Sequence, residues 1–72
     1  MNGIEHHYQV LGLEPGASGV EIKQAYRDLV IVWHPDRFPG NLRLQEMATE
    51  KLKEVNLAYK ELIEYVHFGV HS

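Results

Sequence analysis

Apolar residues fall into three stretches at helical spacing, separated by turn residues. In the first, about Glu5 to Leu11, Ile4, Tyr8 and Leu11 recur at intervals of three and four. Gly12 follows, where a chain leaving a helix commonly needs positive φ. Such a short helix needs a neighbour to hold it. The second stretch runs from Ser18 to Trp33. Ser18 and Glu21 have the spacing of a capping box. Ile22, Tyr26, Leu29 and Trp33 then mark one stripe at i, i+4, i+7 and i+11, with Ala25 beside it and Val32 widening it. Pro35 disfavours the α region for His34 and sets the boundary there. The third stretch runs from about Leu42 to Val66, with Asn41 as its N-cap. Its stripe is Leu44, Ala48, Leu52, Val55, Tyr59, Leu62 and Val66. At 1.5 Å per residue it would span roughly 36 Å. Glu46 and Glu50 near its start suit the helix dipole, and Gly69 ends any continuation.

No segment alternates as a strand does, so the pattern predicts an all-α domain. Its form is a short first helix plus an antiparallel hairpin whose two long stripes bury each other. Pro15-Gly16 and Pro39-Gly40 divide the elements.

The chain has 72 residues, 44% hydrophobic and 24% charged, which suits one small folded domain. It has no cysteine, so disulfides and thiolate metal sites are excluded. Helix packing must then supply the stability. Its net charge of −3 argues against bulk attraction to nucleic acid or anionic membrane. No apolar run reaches the roughly 18 residues of a membrane span, and no secretory signal opens the chain. Cytoplasmic localisation is the expectation.

The order of motifs adds a sharper signal. Tyr8-x-Val10-Leu11-Gly12-Leu13 comes first, then Ile22-Lys23-x-Ala25-Tyr26-Arg27-x-Leu29. His34-Pro35-Asp36 follows, and last comes Asn56-x-Ala58-Tyr59-x-x-Leu62. The tripeptide alone is weak, but in this frame the chain closely resembles the J-domain of DnaJ-like co-chaperones over about residues 5–66. The resemblance implies docking on the ATPase of a DnaK-type heat-shock chaperone and stimulation of its ATP hydrolysis. It implies no catalysis by the domain itself and no cofactor.

By that resemblance, His34, Pro35 and Asp36 carry the stimulatory contact, and Lys23 and Arg27 belong to a basic docking face on the second helix. Elementary chemistry agrees. Pro35 restricts the loop and so lowers the ordering cost of binding. Asp36 offers two acceptor oxygens to a partner arginine, and His34 can donate or accept. Considered apart from the frame, the tripeptide would be only a helix-stop turn with Asp36 bonded to nearby backbone. Lys23 and Arg27, four apart, would be only a solvated surface. Tyr26 is chiefly a core residue whose hydroxyl could add a contact. Ile31 and Arg37 are auxiliary candidates.

The chain also departs from the family. Asp28 and Val32 stand where J-domains often have lysine or arginine, so 18–33 is neutral: Lys23 and Arg27 against Glu21 and Asp28. Ile31 lies opposite the stripe and should be exposed. The expectation is docking with weaker electrostatic steering and more apolar contact through Ile31 and Val30. The alternative is a divergent J-like interaction module with little or no stimulation. A helix-turn-helix DNA binder fits less well, because the turn is too long and the third helix carries five acids. A metal site at His67 and His71 is interrupted by Gly69 and has no third ligand nearby in sequence, and terminal histidines such as these and the adjacent His6 and His7 are more often solvated. Leu57 should be exposed on the third helix, an ordinary feature that could mark self-association. The expected state is nonetheless a monomer. The domain should occupy 1–72, with a core of about 5–66 and a frayed tail at 67–72. J-domain proteins usually carry further regions, so the expectation is either a piece of a longer protein or a stand-alone module, with the uninterrupted run Tyr65 to Gly69 pointing to the former.

Overall fold

A computed structural model describes residues 3–69, the last two by backbone alone. Three helices form in chain order: α1 (Gly3–Val10), α2 (Gly19–Val32) and α3 (Leu42–Glu64). A single 3₁₀ turn, Pro35–Arg37, lies in the loop between α2 and α3. No strand occurs among the described residues, as the hydrophobic pattern predicts.

Helix α1 begins two residues before the expected start and ends one residue early. Its end is fixed by backbone bonds. The Leu13 N–H donates to the Tyr8 carbonyl at 2.9 Å, and the Gly12 N–H donates to that of Gln9 at 2.9 Å. This is the Schellman pattern, and Gly12 takes the positive φ it requires, +74°. Helix α2 starts behind a complete capping box. The Ser18 hydroxyl accepts from the Glu21 N–H at 3.1 Å, and the Glu21 carboxylate accepts from the Ser18 N–H at 2.8 Å. Its last helical residue is Val32. Trp33, expected inside the helix, is its C-cap, with its N–H on the Leu29 carbonyl.

Helix α3 is capped as expected: the Asn41 side chain accepts from the Leu44 N–H at 3.1 Å. Its first turn holds no acid, so the dipole role expected of Glu46 and Glu50 is not realised there. Glu50 instead pairs with Lys53 at 3.1 Å on an exposed face. Beyond Glu64, Tyr65–Gly69 forms one π turn. The rest of the expected tail, 70–72, lies outside the described residues.

Helix α3 is the spine, with both α1 and α2 packed along it. The core joins Tyr8 and Leu11 from α1 and its cap, Ile22 from α2, and Val55, Ala58 and Leu62 from α3. Ile22, Val55, Ala58 and Leu62 are wholly shielded from solvent. Ala25, Tyr26, Leu29 and Tyr59 are half-buried against this cluster. Across the hairpin the Tyr26 and Tyr59 rings stack at 4.1 Å, and the Tyr26 hydroxyl donates to Asn56 at 2.8 Å. The expected stripe therefore meets its partner, with one correction. Val32 is 51% exposed. It sits on the flank of the stripe, beyond the reach of the single helix covering α2.

Candidate functional site

The loop at the hairpin tip is short, exposed and internally fixed. Pro35 opens the 3₁₀ turn, a position where its missing N–H costs nothing and its fixed φ is already suitable. The turn is closed by the Arg37 N–H on the His34 carbonyl at 2.9 Å and the Phe38 N–H on the Pro35 carbonyl at 3.1 Å. His34 caps it: Nδ1 accepts from the Asp36 N–H at 3.2 Å. An imidazole that accepts at Nδ1 carries its proton on Nε2, so the ring presents a donor on its free side. The His34 side chain is 52% exposed and that of Asp36 is 92% exposed. The Asp36 carboxylate lies 3.7 Å from Nδ1. The helix-stop alternative had Asp36 bonding the backbone; here His34 does so, and the carboxylate faces solvent.

The loop is also tied to the spine. Gln45 Nε2 on α3 donates to the Phe38 carbonyl at 3.0 Å, a partly buried bond. The Asn41 N–H donates to the same carbonyl at 3.2 Å. On the α2 side, Lys51 of α3 lies 5.9 Å from the half-buried Trp33 ring, at cation–π distance. His34 and Asp36 thus stand between two anchored ends. Local spacing pointed to none of these anchors except the Asn41 cap. Gln45 could have been found as the residue one turn after that cap.

Lys23 and Arg27 are exposed on α2, one turn apart and away from the Ile22 stripe. Ile31, 61% exposed, lies on the outer face as expected. Val30 is half-buried, so the exposed neighbour of Ile31 is Val32. Arg37 is exposed beside the loop. The Tyr26 hydroxyl, considered as a contact, is held by Asn56. Asp28 accepts from Gln24 Nε2 at 2.9 Å, which draws its carboxylate one turn back toward the helix start. Leu57 is exposed on α3 as expected. Among the described residues no three His, Cys, Asp or Glu side chains gather as a metal site would need, and His71 lies outside those residues. Among the described residues no helix is long and apolar enough to cross a membrane.

The amino-acid sequence that builds this hairpin and its His-Pro-Asp turn matches known proteins. The family described as the DnaJ domain matches residues 6–66. Among curated relatives, the chaperone protein DnaJ of Clostridium acetobutylicum is 54% identical over 56 residues, covering 78% of this chain and 14% of that protein. That of Clostridioides difficile is 50% identical over 62 residues, covering 86% of this chain and 15% of that protein. That of Acetivibrio thermocellus is 45% identical over 78 aligned positions, covering 100% of this chain and 19% of that protein. The chain therefore spans less than a fifth of the length of these relatives. No solved structure matches. With the family's match running from α1 through the hairpin to the end of α3, the chain belongs to the DnaJ-domain (J-domain) family.

Proposed function

We propose that this domain is a co-chaperone module that binds a DnaK-type chaperone and stimulates its ATP hydrolysis. The observation that carries the proposal is the turn itself. His34 and Asp36 are exposed, yet their backbone is fixed by Pro35, the Nδ1 cap and the Gln45 tie. A contact made by such a turn loses little conformational entropy on binding. His34 contributes an Nε2–H donor and Asp36 a free carboxylate suited to a partner guanidinium. Lys23 and Arg27 supply the docking charges, and Arg37 adds a cation beside the loop. The domain supplies no chemistry; hydrolysis takes place in the partner. We assign it to the cytoplasm, beside an ATP-consuming partner, as a monomer with no nucleic acid or membrane surface to bind.

Single-turnover ATP hydrolysis by a bacterial DnaK tests this directly. The wild-type domain is expected to accelerate it, and His34→Gln to abolish the acceleration while keeping the same melting curve. Equal rates with both proteins, or no acceleration by either, would refute the proposal.

A further inference from the structure

His34 and Asp36 meet twice. Nδ1 of the ring accepts from the Asp36 N–H at 3.2 Å, and the same Nδ1 lies 3.7 Å from the Asp36 carboxylate. The two contacts need opposite forms of the ring. The N–H needs a lone pair on Nδ1, whereas the carboxylate needs a proton there. Among the described residues Asp36 is the only carboxylate within 4 Å of a His34 ring nitrogen. The other charge on the turn is Arg37, and the last turn of α2 carries none. On α3, Glu46 and Glu50 line one pocket with Pro35, Glu50 is already paired with Lys53, and Lys51 lies against Trp33.

Resting on the proposed stimulation of a DnaK-type chaperone, we infer that His34 is a proton-sensitive latch on Asp36 that opens and closes the loop to its partner. With the ring neutral, the cap holds and the Asp36 side chain, 92% exposed, projects to the partner. Uptake of a proton at Nδ1 sets two donors against each other and breaks the cap. The new Nδ1–H then faces an anion that has to close by only about 1 Å to reach charge-assisted hydrogen-bond distance. That ion pair draws the carboxylate back against the ring and away from the partner. Histidines change charge between about pH 5 and 8, where carboxylates stay largely ionised, so acidification alone closes the latch. His6 and His7 lie on α1 and His67 beyond the end of α3, so their titration is remote from the turn. A partner that accepts only the open form meets a smaller competent fraction as the ring protonates.

Two measurements test this. In NMR of the free ¹⁵N-labelled domain at about pH 8, the His34 ring should carry its proton on Nε2. As the pH falls to about 5.5, the Asp36 amide signal should move with the same midpoint as the His34 ring, while circular dichroism stays unchanged. In His34→Gln the Asp36 amide should lose that transition. The second measurement is single-turnover hydrolysis by a bacterial DnaK, corrected at each pH for its unstimulated rate and its response to an unfolded peptide. The domain concentration giving half-maximal stimulation should rise about fivefold or more between about pH 7.5 and about 5.5. The maximal rate at saturation should be retained, because excess domain supplies the open form. An Asp36 amide that ignores the His34 titration, a proton found on Nδ1 at about pH 8, or a potency that stays flat while the ring charges would overturn the inference and leave the co-chaperone function standing. Absence of stimulation at every pH would overturn that function instead, and the NMR titration would still decide the latch.

Discussion

Gly12 and Gly19 show how far a single residue's backbone sets local stability. Gly12 sits at φ +74°, in the conformation that closes α1, and a Cβ there would touch nothing within 4 Å. Any penalty for a side chain is therefore conformational and not steric crowding. Gly12→Ala is expected to destabilise the domain by about 1–2 kcal/mol, the cost of holding an L-residue in the left-handed region. Gly19 opens α2 without a positive φ, and a Cβ there also meets nothing within 4 Å. Gly19→Ala should stabilise by about 0.4–1 kcal/mol, because it removes freedom from the unfolded chain. Urea unfolding of the two variants checks the opposite signs; two shifts of the same sign would contradict this assignment. The His-Pro-Asp turn depends on a comparable detail. His34 Nδ1 is engaged by the Asp36 N–H, and that bond decides which face of the ring remains for a partner.

Helix ends were the most legible features of the sequence, and side-chain partners across the hairpin the least. Ser18 with Glu21, Asn41, and Pro35 act within a few residues of themselves, so the chain order alone reveals them. The same locality explains the misses. Val32 lies at the edge of the α2 stripe, and its exposure depends on how much of α2 a single helix can cover. Asn56 holds Tyr26 from 30 positions away, and Gln45 reaches back seven to the Phe38 carbonyl. Helical periodicity carries no information about such pairs. The tripeptide His34-Pro35-Asp36 was legible as a candidate site only through its frame, because a His-Pro-Asp turn alone is an ordinary helix stop. The capping box has a consequence at this scale. Ser18→Ala removes one of two reciprocal bonds and should cost about 1 kcal/mol, lowering the melting temperature by about 4–8 °C for a domain of this size. The box lies at the far end of α2 from the loop. Saturating stimulation of the chaperone should therefore be unchanged below the transition. Thermal scans by circular dichroism and the hydrolysis assay, run on the same sample, separate the two effects.

At the scale of the molecule, the core and the His-Pro-Asp turn occupy opposite ends of α3. The turn is tied at Gln45, whereas the shielded cluster uses Val55, Ala58 and Leu62. That separation of ten to seventeen residues corresponds to roughly 15–26 Å of helix. The cluster is small, and domains of this length are stable by only about 0.05–0.15 kcal/mol per residue. Leu62 shows no exposure and joins α1 to the hairpin. Leu62→Ala should therefore cost about 2–5 kcal/mol, a large share of the total. His34→Gln should cost almost nothing in stability, since His34 is half-exposed. The two variants should both stimulate less, for opposite reasons. Leu62→Ala should lose activity in proportion to its unfolded fraction and regain it when cooled or given a stabilising osmolyte. His34→Gln should stay inactive at every temperature at which it is folded. Osmolyte titration of both variants, followed by circular dichroism and chaperone-stimulated hydrolysis together, decides the matter. A Leu62→Ala protein that refolds fully but remains inactive would show that the core end of α3 acts on the partner directly, and that fold and signal are not separated along this helix.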